Sequence, residues 1–311
     1  MSRVVLQTCS LIFLCLLACS QEPYELDPQS VRELHGALPD DDASLLDDIN
    51  DPGHELAQGD VAVRGPLVGE ASEVAPRPAS VGVSVQALEF ASSSLDLVKQ
   101  TTRMPQRTTV QLQVTWTRGG DPSVCTGTLI QDDAVLTAAH CLWKASRGGF
   151  AYSIIAIPAA RGDSHPYGEI AAKRSFVPSQ YRALDPGPGK YPHDYGVLRL
   201  KKPFSLGTRS LGVEPSALNR AITVRGYPGI EGSARFDGTQ MFESRDRIRS
   251  ILSNGVLYHR ASTEPGMSGA GIDDGVKIIG VHCSSVDSDN SGVVLSPSRV
   301  NAINAWATQA L

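Results

Sequence analysis

Three short segments of the sequence contain residue types that together can transfer an acyl group. The first, Leu136–Cys141, contains His140; the second begins at Asp194; the third surrounds Ser268 with glycines. A serine hydroxyl is a weak nucleophile, so it needs an imidazole that removes its proton and a carboxylate that holds this imidazole in the useful tautomer. The order His, Asp, Ser and the sequence around each residue predict that these three residues form a catalytic triad.

Each of these residues also has a purely structural interpretation. A histidine beside a cysteine can be a core or metal-binding residue, an aspartate can start a strand, and a serine between glycines can form a turn. Asp163 and Asp185 are rival carboxylates, but neither leads directly into an apolar strand as Asp194 does. The other histidines that could compete with His140 lack its sequence context; they are His165, His193 and His259.

The same segments resemble those of a known family. The run Thr137–Cys141 (Thr-Ala-Ala-His-Cys) matches the histidine motif of the chymotrypsin-like serine peptidases. Asp194 and the apolar residues after it are similar to the aspartate segment of that family, and Gly266–Gly269 resembles its Gly-x-Ser-Gly nucleophile loop. The likeness covers residues 108–311 and implies a serine endopeptidase that acts on polypeptides without cofactor or metal.

The resemblance also assigns roles outside the triad. The backbone N–H groups of Gly266 and Ser268 are expected to form the oxyanion hole, and a glycine at position 266 allows the sharp turn that this requires. The family commonly ties the strand before the histidine to the histidine loop, which implies a disulfide between Cys125 and Cys141. Zinc is the alternative for these cysteines, but no fourth ligand is nearby. Cys283 then remains as a single buried thiol.

The position of the specificity residues separates two branches of the family. Animal digestive members select Lys or Arg through an aspartate six residues before the nucleophile, where this chain has Ser262. The chain is more similar to the bacterial glutamyl endopeptidases of the staphylococcal V8 type, in which a threonine and a histidine contact the substrate carboxylate. Thr263 and His282 stand at those positions. The resemblance therefore implies a preference for Glu or Asp at the cleaved position.

The elements that must position these residues are typical of an all-β domain. Short apolar runs alternate with Gly, Pro, Asp and Asn, which predicts strands separated by turns. The predicted strands include Thr109–Trp116, Ala134–Thr137, Tyr152–Ile157, Gly196–Leu200, Ala221–Gly226 and Val276–Val281. A C-terminal helix is expected over Ser298–Gln309, with Ser298 as N-cap. The resemblance specifies two packed antiparallel six-stranded β-barrels, with the active site in the cleft between them.

The first 19 residues are typical of an export signal. Arg3 precedes the apolar run Val4–Ala18, which is too short to cross a bilayer comfortably as a permanent helix. Export to an oxidising compartment follows, so the chain is expected to be secreted or periplasmic. The run Leu16–Ser20 also resembles a bacterial lipobox. Lipidation of Cys19, which would anchor the chain to a membrane, is therefore an alternative to simple cleavage.

Residues 20–107 are predicted to be a removable pro-segment, with a flexible tether as the alternative. Between Ser20 and Ala75 lie fourteen of the 33 acidic residues and two of the 28 basic ones, so this part repels itself and cannot build a core. Candidate processing sites follow four residues, Glu89, Lys99, Arg103 and Arg107. The protease domain is expected to span residues 108–311.

The charge balance points away from a nucleic-acid partner, because the net charge is −5. We expect a monomer that acts on polypeptide substrates. Two competing interpretations remain: a protease-like module that binds a partner without catalysis, and an enzyme that processes only its own pro-segment. The Arg-rich run Arg245–Arg249 is interrupted by Asp246 and is interpreted as a solvated surface.

Overall fold

The computed structural model describes residues 48–57, 67–70, 95–213, 218–286 and 289–310. The predicted signal peptide, Cys19 and Glu89 lie outside these residues. The strands, in chain order, are β1 His54–Glu55, β2 Val68–Gly69, β3 Asp96–Leu97, β4 Thr109–Thr115, β5 Ser123–Gln131, β6 Ala134–Thr137, β7 Trp143–Lys144, β8 Gly149–Phe150, β9 Ser153–Pro158, β10 Ile170–Phe176, β11 Gly196–Leu200, β12 Ala221–Gly226, β13 Phe242–Ile251, β14 Val256–His259, β15 Gly271–Asp273, β16 Ile278–Val286 and β17 Asp289–Val294. The helices are α1 Ser179–Ala183 and α2 Pro297–Thr308, and short 3₁₀ turns occur at Gln106–Thr108, Ala139–Cys141, Ala145–Arg147 and Pro188–His193.

Two closed antiparallel barrels of six strands form the body. The first has the order β10-β11-β6-β5-β4-β9 and closes by pairing of β9 with β10. The second has the order β12-β15-β16-β17-β14-β13 and closes by pairing of β12 with β13. Closure leaves no barrel strand with an unpaired edge. The predicted fold of two packed six-stranded barrels with a C-terminal helix is confirmed.

The predicted strands agree with the structure most closely where apolar runs are bounded by turns. Strands β6, β11 and β12 have the predicted bounds, whereas the strand expected from Val276 begins at Ile278. The delay has a local cause, because the Asp274 carboxylate accepts hydrogen bonds from the backbone N–H groups of Val276 and Lys277 and closes a turn there.

Helix α2 is present, but Ser298 is not its N-cap. Ser296 has extended backbone angles and its hydroxyl accepts from the N–H of Arg299 at 3.3 Å, so Ser296 caps the helix. Pro297 occupies the first helical position, where its missing N–H has no intrahelical partner to lose. The helix packs Ile303 and Trp306 into the core of the first barrel.

Three N-terminal segments lie against the barrels. Residues 54–55 pair with β10, residues 68–69 run parallel to the start of β5, and residues 96–97 pair with β13. Leu95 is buried in the second-barrel core. The boundary between residues 107 and 108 stays a prediction, as does the removal of anything before it.

Candidate active site

His140 and Asp194 meet because their strands are neighbours. Strand β6 ends at Thr137, three residues before His140, and β11 begins two residues after Asp194. Thr137 pairs with Gly196 across these antiparallel strands, which brings the two side chains to the same end of the first barrel. Both side chains are fully buried.

Two hydrogen bonds fix this pair. The Nδ1 atom of His140 lies 2.8 Å from Oδ2 of Asp194, and the backbone N–H of His140 donates to Oδ1 at 3.0 Å. An ionised carboxylate can only accept, so Nδ1 carries the proton and Nε2 is left with its lone pair. The imidazole therefore has the tautomer of a general base.

Ser268 lies on a loop of the second barrel that is hydrogen-bonded to strands of both barrels. The Ser268 carbonyl accepts from the N–H of Thr126 in β5 at 2.8 Å, and the next N–H, of Gly269, donates to His282 in β16 at 2.8 Å. A Cβ on Gly269 would lie 2.1 Å from Oγ1 of Thr137, so the nucleophile loop is in close contact with the segment that leads to His140.

The Ser268 hydroxyl is turned towards another acceptor. It donates to the backbone carbonyl of Glu70 at 3.1 Å and lies 3.4 Å from the carbonyl of Cys283. Nε2 of His140 has no hydrogen-bond partner among the described residues. The nucleophile–base contact is thus not made while Leu67–Glu70 lies in the cleft.

Gly266 has the backbone that the expected oxyanion hole requires. Its φ is +94°, and a Cβ there would lie 2.4 Å from the carbonyl oxygen of Tyr227. Only glycine adopts this conformation at such a contact without strain. The Gly266 carbonyl accepts from Oγ1 of Thr126 at 2.8 Å. The Pro265 carbonyl, which shares a peptide with the Gly266 N–H, accepts from the N–H of Gly229 at 2.7 Å.

Cys125 and Cys141 are joined in a disulfide that links β5 to the turn containing His140. These two sulfurs and His140 offer ligand atoms within 4.8 Å of one another. A metal does not fit here, because the sulfurs are bonded to each other and His140 Nδ1 is held by Asp194.

Cys283 is a free, buried thiol, and its Sγ lies 3.1 Å from the Asp194 carbonyl oxygen. Burial raises the pKa of this thiol well above its usual range, and the charge of Asp194 acts in the same direction.

Of the two expected specificity residues, His282 has hydrogen bonds to the nucleophile loop. Its N–H donates to Ala270 at 2.8 Å, and its side chain is buried. Thr263 is partly buried five residues before Ser268, and no hydrogen bond joins it to His282 in the described part of the chain.

Sequence reasoning missed a second histidine beside His282. The rings of His259 and His282 meet edge to face, with centroids 5.5 Å apart. Neither ring nitrogen of His259 nor Nδ1 of His282 has a partner among the described residues. Burial lowers the pKa of His259 to about 4, against the opposing effect of Asp246 and Asp289. Burial also holds the pKa of His282 well below its usual range, helped by His259 and His140.

The rival residues lie elsewhere. Asp163 and Asp185 are exposed, and His165 lies 3.2 Å from the Glu169 carboxylate. Arg245–Arg249 lies in β13, with the side chain of Arg245 73% exposed, so its interpretation as solvated surface was right about exposure but missed the strand.

Comparisons with known proteins agree with this arrangement. Residues 125–281, about half of the chain, match the family model of the trypsin-like peptidase domain. A glutamyl endopeptidase of Bacillus licheniformis is 29% identical over 208 residues, which are 65% of this chain and 60% of that protein. A Bacillus subtilis protein named extracellular metalloprotease is 28% identical over 223 residues, which are 68% of this chain and 67% of that protein.

The fold is shared with a solved structure of a Glu endopeptidase in complex with MPD. The TM-score is 0.61 at 23% identity, and the match covers 70% of this chain and 97% of that one. The resemblance to the chymotrypsin-like serine peptidases, near the V8-type enzymes, is confirmed. The chain belongs to the trypsin-like peptidase family.

Proposed function

We propose that this protein is a secreted serine endopeptidase that uses Ser268, His140 and Asp194 as its triad and prefers Glu, or Asp, at the cleaved position. The observation that carries the proposal is the buried His140–Asp194 pair, with 2.8 Å between Nδ1 and Oδ2, at the end of the first barrel that contacts the Ser268 loop. An Nε2 lone pair without a partner, on a histidine whose segment contacts the nucleophile loop, is the arrangement that acyl transfer needs.

The chemistry proceeds through a covalent intermediate. Nε2 of His140 takes the Ser268 proton as Oγ attacks the substrate carbonyl carbon, and Asp194 stabilises the imidazolium that forms. The N–H groups of Gly266 and Ser268 bind the oxyanion. His140 then gives its proton to the leaving amine, the C–N bond breaks, and water hydrolyses the acyl-enzyme by the same route. No cofactor takes part.

The preference for an acidic side chain rests on His282 and Thr263. Burial lowers the pKa of His282, so its imidazole is neutral before a substrate binds. The ring donates to the Ser291 backbone, and Nδ1 has no partner among the described residues. A carboxylate at Nδ1 favours the protonated imidazole, in which both ring nitrogens donate. The name of the Bacillus licheniformis relative, a glutamyl endopeptidase, supports this assignment.

Export and processing complete the proposal. Residues 1–19 act as the export signal, with Cys19 as the site of a lipid anchor if the lipobox-like run is used. Residues 20–107 act as a pro-segment, and the mature enzyme works as a monomer on polypeptides. In the described part of the chain, no helix is long and apolar enough to span a membrane. The word extracellular in the name of the Bacillus subtilis relative supports secretion.

The test compares the chain from Ser20 onwards with its Ser268→Ala variant. Each is incubated with an unfolded protein, and the fragments are mapped by mass spectrometry. We expect cuts after Glu that the variant does not make. Serine-dependent cuts elsewhere would overturn the acidic preference. If the chain is correctly processed and neither version cuts, the non-catalytic binding module becomes the better interpretation.

A further inference from the structure

A short N-terminal segment, Leu67–Glu70, lies in the cleft beside the nucleophile. The N–H of Gly69 donates to the carbonyl of Gly229 in the second half of the chain at 2.6 Å. The next N–H, of Glu70, donates to the carbonyl of Val124 in β5 at 2.8 Å. The segment therefore crosses between the two halves of the domain and is hydrogen-bonded to both.

The backbone of this segment touches the catalytic loop. The Ser268 hydroxyl donates to the Glu70 carbonyl at 3.1 Å. A Cβ on Gly69 would lie 2.1 Å from the amide nitrogen of Gly266, which is the expected oxyanion donor. A larger residue at position 69 cannot be accommodated without displacing the segment, because the neighbouring atoms belong to backbone.

The Glu70 side chain fills a pocket of the first barrel. Its carboxylate accepts from Nε1 of Trp116 at 2.5 Å and from the Ser123 hydroxyl, and it forms an ion pair with Nζ of Lys144. Glu70, Trp116 and Lys144 are each less than 9% exposed. The Lys144 ammonium also lies 5.3 Å from the centre of the Trp116 ring.

This pocket is built for an anion. Burial alone would raise the pKa of Glu70, but the Lys144 charge and the donors from Lys144, Ser123 and Trp116 outweigh it, so the pKa lies below its usual value. Removing one partner of a buried ion pair is costly, because the other charge stays buried. Departure of Glu70 therefore leaves a cavity that favours another carboxylate.

The pocket and His282 belong to different barrels. Trp116, Ser123 and Lys144 lie in the first barrel or its loops, whereas His282 is in β16 of the second. If the cleaved-side acid contacts His282, an acid bound in the first-barrel pocket comes from another part of the same polypeptide.

Resting on the proposed endopeptidase function, we propose that Lys144, Trp116 and Ser123 form a second carboxylate-binding pocket, which takes an acidic side chain on the leaving side of the cleaved bond and which Glu70 fills while the N-terminal segment is attached. The enzyme would then recognise an acid on each side of the cut, and its own segment would occupy one of the two sites.

The binding test uses the full chain from Ser20 with two changes, Ser268→Ala to prevent cleavage and Gly69→Val to displace the segment. The probes are fluorescently labelled tetrapeptides, Leu-Val-Gly-Glu and Leu-Val-Gly-Gln, with blocked ends. We expect the Glu peptide to bind about tenfold tighter or more, as for a charge-assisted hydrogen bond. Adding Lys144→Met should abolish this difference, and adding Lys202→Met, at an exposed lysine, should preserve it. Equal affinities for the two peptides would overturn the pocket.

A second measurement does not depend on changing the buried lysine. In the Ser268→Ala chain with Gly69 intact, Glu70→Gln should speed hydrogen exchange at the amides of Gly69 and Glu70 by about tenfold or more. Unchanged exchange would mean that the carboxylate does not hold the segment, and would contradict the proposal.

The position relative to the cut is tested by kinetics. The Gly69→Val chain, with Ser268 present, is given peptides that carry Glu or Gln at each of the three positions after the cleaved bond. We expect one position to favour Glu by about fivefold or more in kcat/KM, and Lys144→Met to remove that preference. Cleavage without any such preference would refute the leaving-side pocket but would support the endopeptidase function. A chain that cleaves nothing but still prefers the Glu tetrapeptide would refute the endopeptidase and keep the pocket.

Discussion

The two sides of the cleft differ in the charge of their buried side chains. On the first-barrel side, Lys144 is a buried cation that is matched by the Glu70 carboxylate. On the second-barrel side, His282 and His259 are buried imidazoles whose pKa values are both lowered, so they are neutral at pH 7. One side contains a formed ion pair, and the other contains neutral imidazoles of which three ring nitrogens have no partner among the described residues.

The difference shows which groups are available to a substrate. Buried polar atoms are normally hydrogen-bonded, so both ring nitrogens of His259 and Nδ1 of His282 are candidates for contact with a ligand. A satisfied ion pair indicates a site whose ligand is already present. Under the two proposals above, both sides recognise a carboxylate, and the first-barrel side does so only after Glu70 has left.

The largest effect on kcat should come from replacing Asp194, the carboxylate of the proposed triad, which belongs to neither carboxylate pocket. Asp194→Asn leaves the geometry in place but favours the wrong tautomer of His140, so kcat should fall about 10⁴-fold with the Glu preference intact. Hydrolysis of a Glu-containing peptide measures this. Asp163→Asn, at an exposed aspartate, is the matched control and should change kcat less than twofold.

The next effect concerns stability on the second-barrel side. His259 has a lowered pKa of about 4 against a usual value of 6.5, so between these pH values the unfolded chain binds a proton that the folded chain does not. Stability should therefore fall as the pH drops from 6.5 towards 4, by on the order of 3 kcal/mol.

We would measure the unfolding free energy of two proteins, the Ser268→Ala variant and the Ser268→Ala, His259→Leu double variant. Each is unfolded with urea at pH 7 and at pH 4.5. The leucine variant should lose most of the decline in unfolding free energy between the two pH values. An equal decline in both proteins would mean that other groups cause the acid sensitivity.

The next largest effect should be on substrate preference, when His282 is replaced. Replacing it by Gln removes an imidazole donor, and the preference for Glu over Gln at the cleaved position should fall by about 10- to 100-fold in kcat/KM. The rate with the Gln substrate should hardly change. His165→Gln, remote from the cleft, is the control. A retained preference would move carboxylate recognition to other residues.

The smallest effect should be on stability, through helix α2, which packs on the first barrel. Ser296→Ala removes the N-cap of α2 and should lower the unfolding free energy by about 1 kcal/mol. Ser298→Ala should cost much less, because Ser298 caps no backbone N–H in the structure. Urea unfolding of the two variants decides between these serines.

Much of the catalytic centre could be predicted because its residues are locally encoded. His140, Asp194 and Ser268 each stand next to the end or start of a strand, within a short run that specifies its own turn. The order of barrel strands came from the resemblance, since apolar runs alone do not specify which strands pair.

Other features depend on contacts between distant residues and left no local pattern. His259 and His282 are 23 positions apart and meet only because β14, β17 and β16 are adjacent. Strand β13 was missed because its alternate exposed positions include Arg245 and Arg249, which masked the apolar face. Segment Leu67–Glu70 contains a strand of two residues, too short for any periodicity to indicate it.

Two elements that flank the barrels in the chain, β3 and α2, are exchanged between them. Strand β3, which precedes the first barrel in the chain, pairs with the second, and helix α2, which follows the second barrel, packs Trp306 against Phe176 and Tyr195 of the first-barrel region. During synthesis, the first barrel therefore cannot cover this surface until the last residues have been added. Contacts of such long sequence separation form slowly. Under the proposed secretion, a first barrel that is completed only by helix α2 favours export of the chain before it has folded.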